Sequence, residues 1–307
     1  MQPTRRDALL LASYVASRVA AAQPASGELV IRNKLGVSIF PQADGKSPSL
    51  MVSLPGKGKE IAAIIEMPEH AYRKRGKSGE PEWFYRMYTN DARVMGSPTW
   101  SRESGALDYK MSLPSGYTLN ARAALDEEGI TIQYVVPNPE RVALTEVQAP
   151  TCIKLYHPFT DVFLERTYVH QADGLDLLAS ETPERLTKNA EEWLPCRYIV
   201  RCSKDALPPV ARMERQSDGI MYYRKLRAAD TPFLATESSP KGWVAATHSL
   251  DSPDVWTNPA RTCHHADSGV PVAVGAVAKL SLKLNLLRGT VRDAWERVAA
   301  RHRRQEL

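Results

Sequence analysis

The stretch SGYTLNARAALDEEGITIQYVVPNPERVALTEVQAPTCIKL, residues 115–155, reads as a run of strands punctuated by turns. The first strand spans 117–124, and Asp126-Glu127-Glu128-Gly129 turns the chain. The second spans 129–136. There Ile130, Ile132 and Tyr134 fall on one face and Thr131, Gln133 and Val135 on the other, the period of a strand with one side buried. Pro137-Asn138-Pro139 makes a second turn before strand-like runs at 143–148 and 152–155.

The same alternation extends outward. Leu280, Leu282, Leu284 and Leu286 alternate with Ser281, Lys283 and Asn285. Further strand-like runs lie at 28–40, 60–66, 82–88, 197–202, 243–247 and 272–287. Many short strands joined by Pro, Gly, Asn and Asp predict an antiparallel sandwich or barrel. Strands do not alternate with helices, and no glycine-rich phosphate loop occurs, which argues against nucleotide chemistry. The chain ends in a helix over 290–304. Thr290 caps it with Asp293 three residues on, and Val291, Trp295, Val298 and His302 share one face. A shorter helix is signalled around 183–193.

This strand–turn rhythm of residues 115–155 resembles the central meander of the galactose mutarotase-like supersandwich, a group of sugar epimerases, polysaccharide lyase domains and some glycoside hydrolases. The ending KLSLKLNLLRGTVRDAWERV, residues 279–298, is similar to that of secreted members, a long last strand running into a helix. The resemblance implies an all-β fold, a large antiparallel β-sandwich (supersandwich) with a C-terminal α-helix and a concave face open to oligosaccharide. The chain departs from the group where mutarotases carry an Asn-His stretch after the third meander strand. It has Gln148-Ala149-Pro150-Thr151-Cys152 there, with His157 the nearest histidine. Epimerisation by the mutarotase route is therefore not expected.

Residues 1–22 read as an export signal, leaving a single domain over 23–307. Arg5 and Arg6 precede an apolar run over 8–17, and Ala20-Ala21-Ala22 offers a cleavage site. Thr4-Arg5-Arg6-Asp7 followed by Leu9-Leu10 resembles a twin-arginine signal. The chain is thus expected to be periplasmic or extracellular. No later apolar run reaches the ~20 residues of a membrane span. Removing residues 1–22 lowers the formal charge from +5 to +3, too mild a balance for a nucleic-acid partner. Arg73-Lys74-Arg75-Gly76-Lys77 is read as a solvated loop. Of four cysteines, Cys196 and Cys202 stand about 20 Å apart along one strand and cannot bond each other. Any disulfide must reach Cys152 or Cys263, and buried free thiols are the alternative.

Chemistry concentrates in HSLDSPDVWTNPARTCHHAD, residues 248–267. Its prolines and asparagine mark a loop between strands, where functional groups gather. His248, His264, His265 and Asp267 offer either proton transfer or ligands for a divalent metal. Adjacent His264 and His265 would point to opposite faces of a strand, so one ion would take only one of them. The bland reading is structural histidines hydrogen-bonded in a packed loop. YHPFTDVFLERTYVH, residues 156–170, interleaves His157, Asp161, Glu165, Arg166 and Tyr168 with aromatics, a mixed surface suited to sugars. EWFYRMYTNDAR, residues 82–93, leaves Arg86 free to meet a carboxylate. No GxSxG elbow occurs, and Cys263 beside His264 makes a poor nucleophile pair because sequence neighbours seldom meet in the needed geometry.

The sequence thus points to an exported carbohydrate-active protein doing acid/base work on a glycoside or sugar carbon. His248, His264, His265 or His157 would carry the proton and Asp267 or Glu165 would orient it. Trp243, Trp256, Arg86, Tyr168 and Arg166 would contact the sugar. The sequence does not settle a cofactor: none is one reading, and a divalent metal is the other. The rival readings are a non-catalytic glycan-binding or envelope module, and a metalloprotein with a His/Asp site.

Overall fold

The two alternating strands of the sequence meet each other. Gly129–Pro137 pairs antiparallel with Val277–Gly289, setting Ile130, Ile132 and Tyr134 opposite Leu284, Leu282 and Leu280. All six are buried. Burial of one such side chain contributes about 1.5–3 kcal/mol, so this ladder anchors the main core. The computed structural model describes residues 29–42, 47–56, 60–76, 79–194, 196–202, 213–217 and 219–307. The expected export signal, residues 1–22, lies outside the described residues.

Around that ladder runs a nine-stranded antiparallel sheet. Its order is Gly174–Leu177, Thr167–Gln171, Phe233–Glu237, Gly242–His248, Val277–Gly289, Gly129–Pro137, Thr118–Leu125, Ala106–Ser112 and Thr99–Glu103. A second layer faces it. One part is a six-stranded sheet from Ile31–Arg32 through Ile61–Glu66 to Cys152–Leu155 and Cys263–His264. The other is a four-stranded sheet of Gly269–Val272, Leu144–Gln148, His70–Lys74 and Glu82–Arg86. Leu50, Ile65, Phe84, Val147 and Ile153 from this layer join Met111, Leu119 and Ile132 of the first in one apolar core. The architecture is the expected antiparallel sandwich.

A fourth sheet, Met213–Arg215, Met221–Arg224, Cys196–Arg201 and Asp254–Thr257, packs on a core of its own built around Trp193, Tyr198 and Val255. It holds a parallel pair, Cys196–Arg201 with Met221–Arg224, which the sequence did not signal. Parallel neighbours cannot be joined by a tight hairpin.

The last helix spans Val291–Arg303 with the expected Thr290–Asp293 capping box. Val291, Ala294 and Val298 pack on Phe233, Ala235, Val244, Ala246 and Leu287, covering part of the outer face of the nine-stranded sheet. The run at 272–287 divides into Gly269–Val272 and Val277–Gly289, because Gly275 adopts φ 71° in the intervening turn. The short helix is a 3-10 turn, Pro183–Thr187, followed by Ala190–Trp193. Arg73 and Lys74 end a strand rather than fill a loop, and they pair with Glu82, Glu140 and Glu146. Among the described residues no helix is long and apolar enough to cross a membrane.

Candidate functional site

Two small sheets approach each other along residues 265–269, where His265 bridges to Trp256 of one and Gly269 begins a strand of the other. On one side His70–Lys74 alternates so that His70 and Tyr72 both meet the Trp83 ring edge-on, at 4.7 and 5.2 Å between centroids. Arg86 stands opposite His70 across the hairpin, its guanidinium 5.3 Å from the centre of Trp83. Tyr72 donates to Gln148 Oε1 (2.6 Å), and Gln148 Nε2 donates to Glu146 Oε1 (2.9 Å). Gly269 leaves room for them, since a Cβ there would fall 2.5 Å from Glu146 Oε1 and 2.9 Å from Gln148 Nε2 and would push these side-chain ends aside.

On the other side Cys196–Arg201 buries every second residue and turns Arg197, Ile199 and Arg201 outward. Asp254 and Trp256 lie opposite Arg201 and Ile199 on the neighbouring strand. Arg197 is held between two rings, 5.4 Å from the centres of both Tyr222 and Trp256.

The seam joins them. His265 exchanges both backbone hydrogen bonds with Trp256 (3.2 and 3.0 Å), and their rings stack 3.6 Å apart. Its Nδ1 lies 3.3 Å from Asp267 Oδ2, while Asp267 Oδ1 accepts from the Thr151 amide at 2.8 Å. Behind His265 the thiols of Cys152 and Cys263 are buried. Beyond them Glu66 accepts from Lys154 and Tyr88.

Electrostatics separate the titratable groups. Burial, opposed by Asp267, lowers His70 to about 4, so it is a neutral imidazole near pH 7 although its side chain is 26% exposed. Burial, reinforced by Asp267, raises Asp254 to about 6. Burial alone would lower His265, but negative charge at Cys263 and the Asp267 carboxylate raise it. A partly exposed neutral base and a carboxyl that keeps its proton near pH 5 therefore both lie within the influence of Asp267. Groups of these two kinds can take a proton from one atom and give one to another.

Of the residues nominated from sequence, His265, Asp267, Trp256 and Arg86 come together here. The others do not join them. His264 points the opposite way from His265, as strand alternation requires, and lies between the sheets with Nε2 2.8 Å from Thr236 Oγ1 and Nδ1 3.2 Å from Thr247 Oγ1. Burial lowers it to about 3. His248 sits on the other face of the strand that carries Thr247. It is fully buried, with Nδ1 3.1 Å from Asn285 Nδ2. Burial, with Lys283 and His302 adding to it, lowers it to about 3. Neither histidine reaches a substrate.

His157 is exposed, 3.9 Å from Glu60. The run 156–170 is a loop that becomes strand only at Thr167, because Asp161 accepts from the amides of Glu165 and Arg166 and curls the chain. Glu165 is exposed on that loop. Arg166 ties the carbonyls of Thr160 and Glu237. Tyr168 packs beside the last helix, and Trp243 packs on the main core beneath Arg288. Of the metal set, His265 and Asp267 stay together while His248 and His264 lie elsewhere. Sequence reasoning passed over His70, Asp254 and Arg197. Alternation of His70, Tyr72 and Lys74 beside the Trp83 strand was the available signal.

No protein-family model matches the chain, and no curated protein does. Among solved structures it is similar to a galactose mutarotase-like protein from Lactobacillus casei ATCC 334, at 12% identity and TM-score 0.44, over 85% of this chain and 100% of that one. It is also similar to a galactose mutarotase-like protein from Clostridium acetobutylicum, at 8% identity and TM-score 0.39, over 82% and 95%. A third is an alpha-N-acetylgalactosaminidase from Bifidobacterium bifidum in complex with GalNAc, at 11% identity and TM-score 0.46. The match covers 86% of this chain and 38% of that one. The first two belong to the group that residues 115–155 resemble in sequence.

Proposed function

We propose that this chain is a carbohydrate-active enzyme that transfers protons at a sugar held across the seam between Trp83 and Trp256. What supports the reading is a neutral imidazole, His70, and a carboxyl protonated below about pH 6, Asp254, each influenced by Asp267 at the seam. His70 is the base and Asp254 the acid. Trp83, 39% exposed, offers its ring to the C–H face of a sugar. Arg86 and Arg197 flank the surface, which suits a sugar bearing a carboxylate. Export belongs to the same proposal and rests on the pattern of residues 1–22.

The test is a screen of the chain without residues 1–22 against neutral and uronate-containing oligosaccharides, reading both binding and product. On the substrate found, His70→Ala and Asp254→Asn each reduce kcat by about 10²–10⁴-fold, and Trp83→Ala raises KM. A correctly folded chain that binds nothing, or variants as active as the parent, would end the proposal.

A second reading, a glycan-binding module without catalysis, is favoured by a groove of about 900 Å³ on the uncovered outer face of the nine-stranded sheet. Ser101, Lys110, Asn120, Arg122 and Gln133 line it, with Arg122 held by Asp108. If that reading holds, Lys110→Ala with Asn120→Ala abolishes binding and His70→Ala leaves it unchanged.

A further inference from the structure

The deepest chemistry in the chain lies behind the proposed catalytic surface and takes no part in it. Cys152 Sγ, Cys263 Sγ and a ring nitrogen of His265 all lie within 4.8 Å of one another. The residues are 4%, 2% and 1% exposed. They come from separate parts of the chain, because Cys152–Leu155 and Cys263–His264 are adjacent strands of the six-stranded sheet.

The imidazole is oriented as a ligand. Asp267 fixes Nδ1 as the donor, and Trp256 fixes the ring plane by stacking at an interplanar angle of 7°. That leaves Nε2 facing inward toward the two sulfurs, and it has no hydrogen-bond partner among the described residues. A buried ring nitrogen without a partner costs about 1–3 kcal/mol unless something binds it. A carboxylate behind a histidine is also the usual support of a metal-bound imidazole.

The sulfurs are prepared in the same sense. The Asn258 amide donates to Cys263 Sγ at 3.3 Å, a contact that favours thiolate. Glu66 brings a carboxylate oxygen within 4.8 Å of Cys152 Sγ, and its Oε2 likewise lacks a partner among the described residues.

We infer that Cys152, Cys263 and His265 form a structural zinc site. Two thiolates and one imidazole suit zinc, and Asp267 is the outer carboxylate of the set. Two thiolates balance the charge of a divalent ion, and the Lys154 ammonium offsets the Glu66 carboxylate beside them. The zinc ties the six-stranded sheet to the seam and holds the Trp256–His265 stack in place. The site keeps His265 and Asp267 of the His/Asp set considered in the sequence and replaces His248 and His264 by Cys152 and Cys263.

The test uses the full-length chain without residues 1–22 or any histidine tag, purified without chelator. Elemental analysis finds about one zinc per chain, and Cys152→Ser with Cys263→Ser lowers it at least tenfold, whereas Cys196→Ser leaves it unchanged. Cobalt added to the metal-stripped parent gives thiolate-to-cobalt charge-transfer absorption with tetrahedral visible bands, a readout that needs no variant to fold. A Cys152–Cys263 disulfide is the competing outcome. It shows as two titratable thiols instead of four in the unreduced, denatured chain, with no cobalt bands after reduction, and it overturns the inference. Zinc retained by the double cysteine variant overturns it equally.

Discussion

Asp254 keeps a proton that an ordinary aspartate loses well below neutrality. Burial is the main cause and Asp267 adds to it, raising the group to about 6. A carboxyl raised in the folded state stabilises the fold while protonated, and that contribution is lost as pH rises through about 6. Ionised Asp254 therefore costs the protein about 2–3 kcal/mol at pH 7. Asp254→Asn should raise the unfolding free energy by that order at pH 7 and by nothing below pH 4, while abolishing turnover. Denaturant unfolding at the two pH values checks this, and an equally stable variant at pH 7 would remove the basis for calling Asp254 the acid. At this scale the sequence was partly legible. The opposite orientation of His264 and His265 followed from strand alternation, but which of them faced the surface depended on Thr236 and Thr247, residues of another sheet. His70 was invisible because nothing beside it in the chain announces that Asp267 and Arg197 will face it.

The elements were more legible than the site, because alternation and capping are local. Gly129–Pro137, Val277–Gly289 and the capped last helix stand within a few residues of their expected bounds. The loop 156–166 escaped because Asp161 pulls the chain inward by accepting the Thr167 hydroxyl and two amides. That tertiary choice overrides a strand-like composition. The junction between the last strand and the helix offers a test at this scale. Gly289 has φ 128°, and a Cβ there would fall 2.6 Å from Asp293 Oδ2, the atom that closes the cap. Gly289→Ala should cost about 1–3 kcal/mol and Thr290→Ala about 1 kcal/mol. For a chain of this size each kcal/mol lowers Tm by about 2–4 °C. Thermal unfolding should rank Gly289→Ala as the worse of the two. The reverse order would mean that the helix end, and not the turn, holds the junction.

For the whole molecule, the three buried or half-buried neutral histidines set how it meets acid. His248, His264 and His70 are lowered to about 3, 3 and 4, chiefly by burial, in three different sheets. A histidine lowered in the folded state contributes stability that is complete above about pH 6.5 and is lost as pH falls toward its folded value. By pH 4.5 each has given up about 2–3 kcal/mol, while protonation of Asp254 returns about 2. The net loss of about 6 kcal/mol is comparable with the whole stability of a typical domain, about 5–15 kcal/mol. Unfolding should therefore begin between about pH 4 and 5, and the acid limb of any activity profile will report unfolding together with protonation of His70. The alkaline limb, near pH 6, belongs to Asp254 alone. Equilibrium unfolding followed by tryptophan fluorescence across this range checks the account. His248→Gln, which can still hydrogen-bond Asn285, should take about one proton out of the pH dependence and move the acid midpoint downward. A midpoint and slope unchanged from the parent would show that the helix-covered histidine takes up no proton on unfolding.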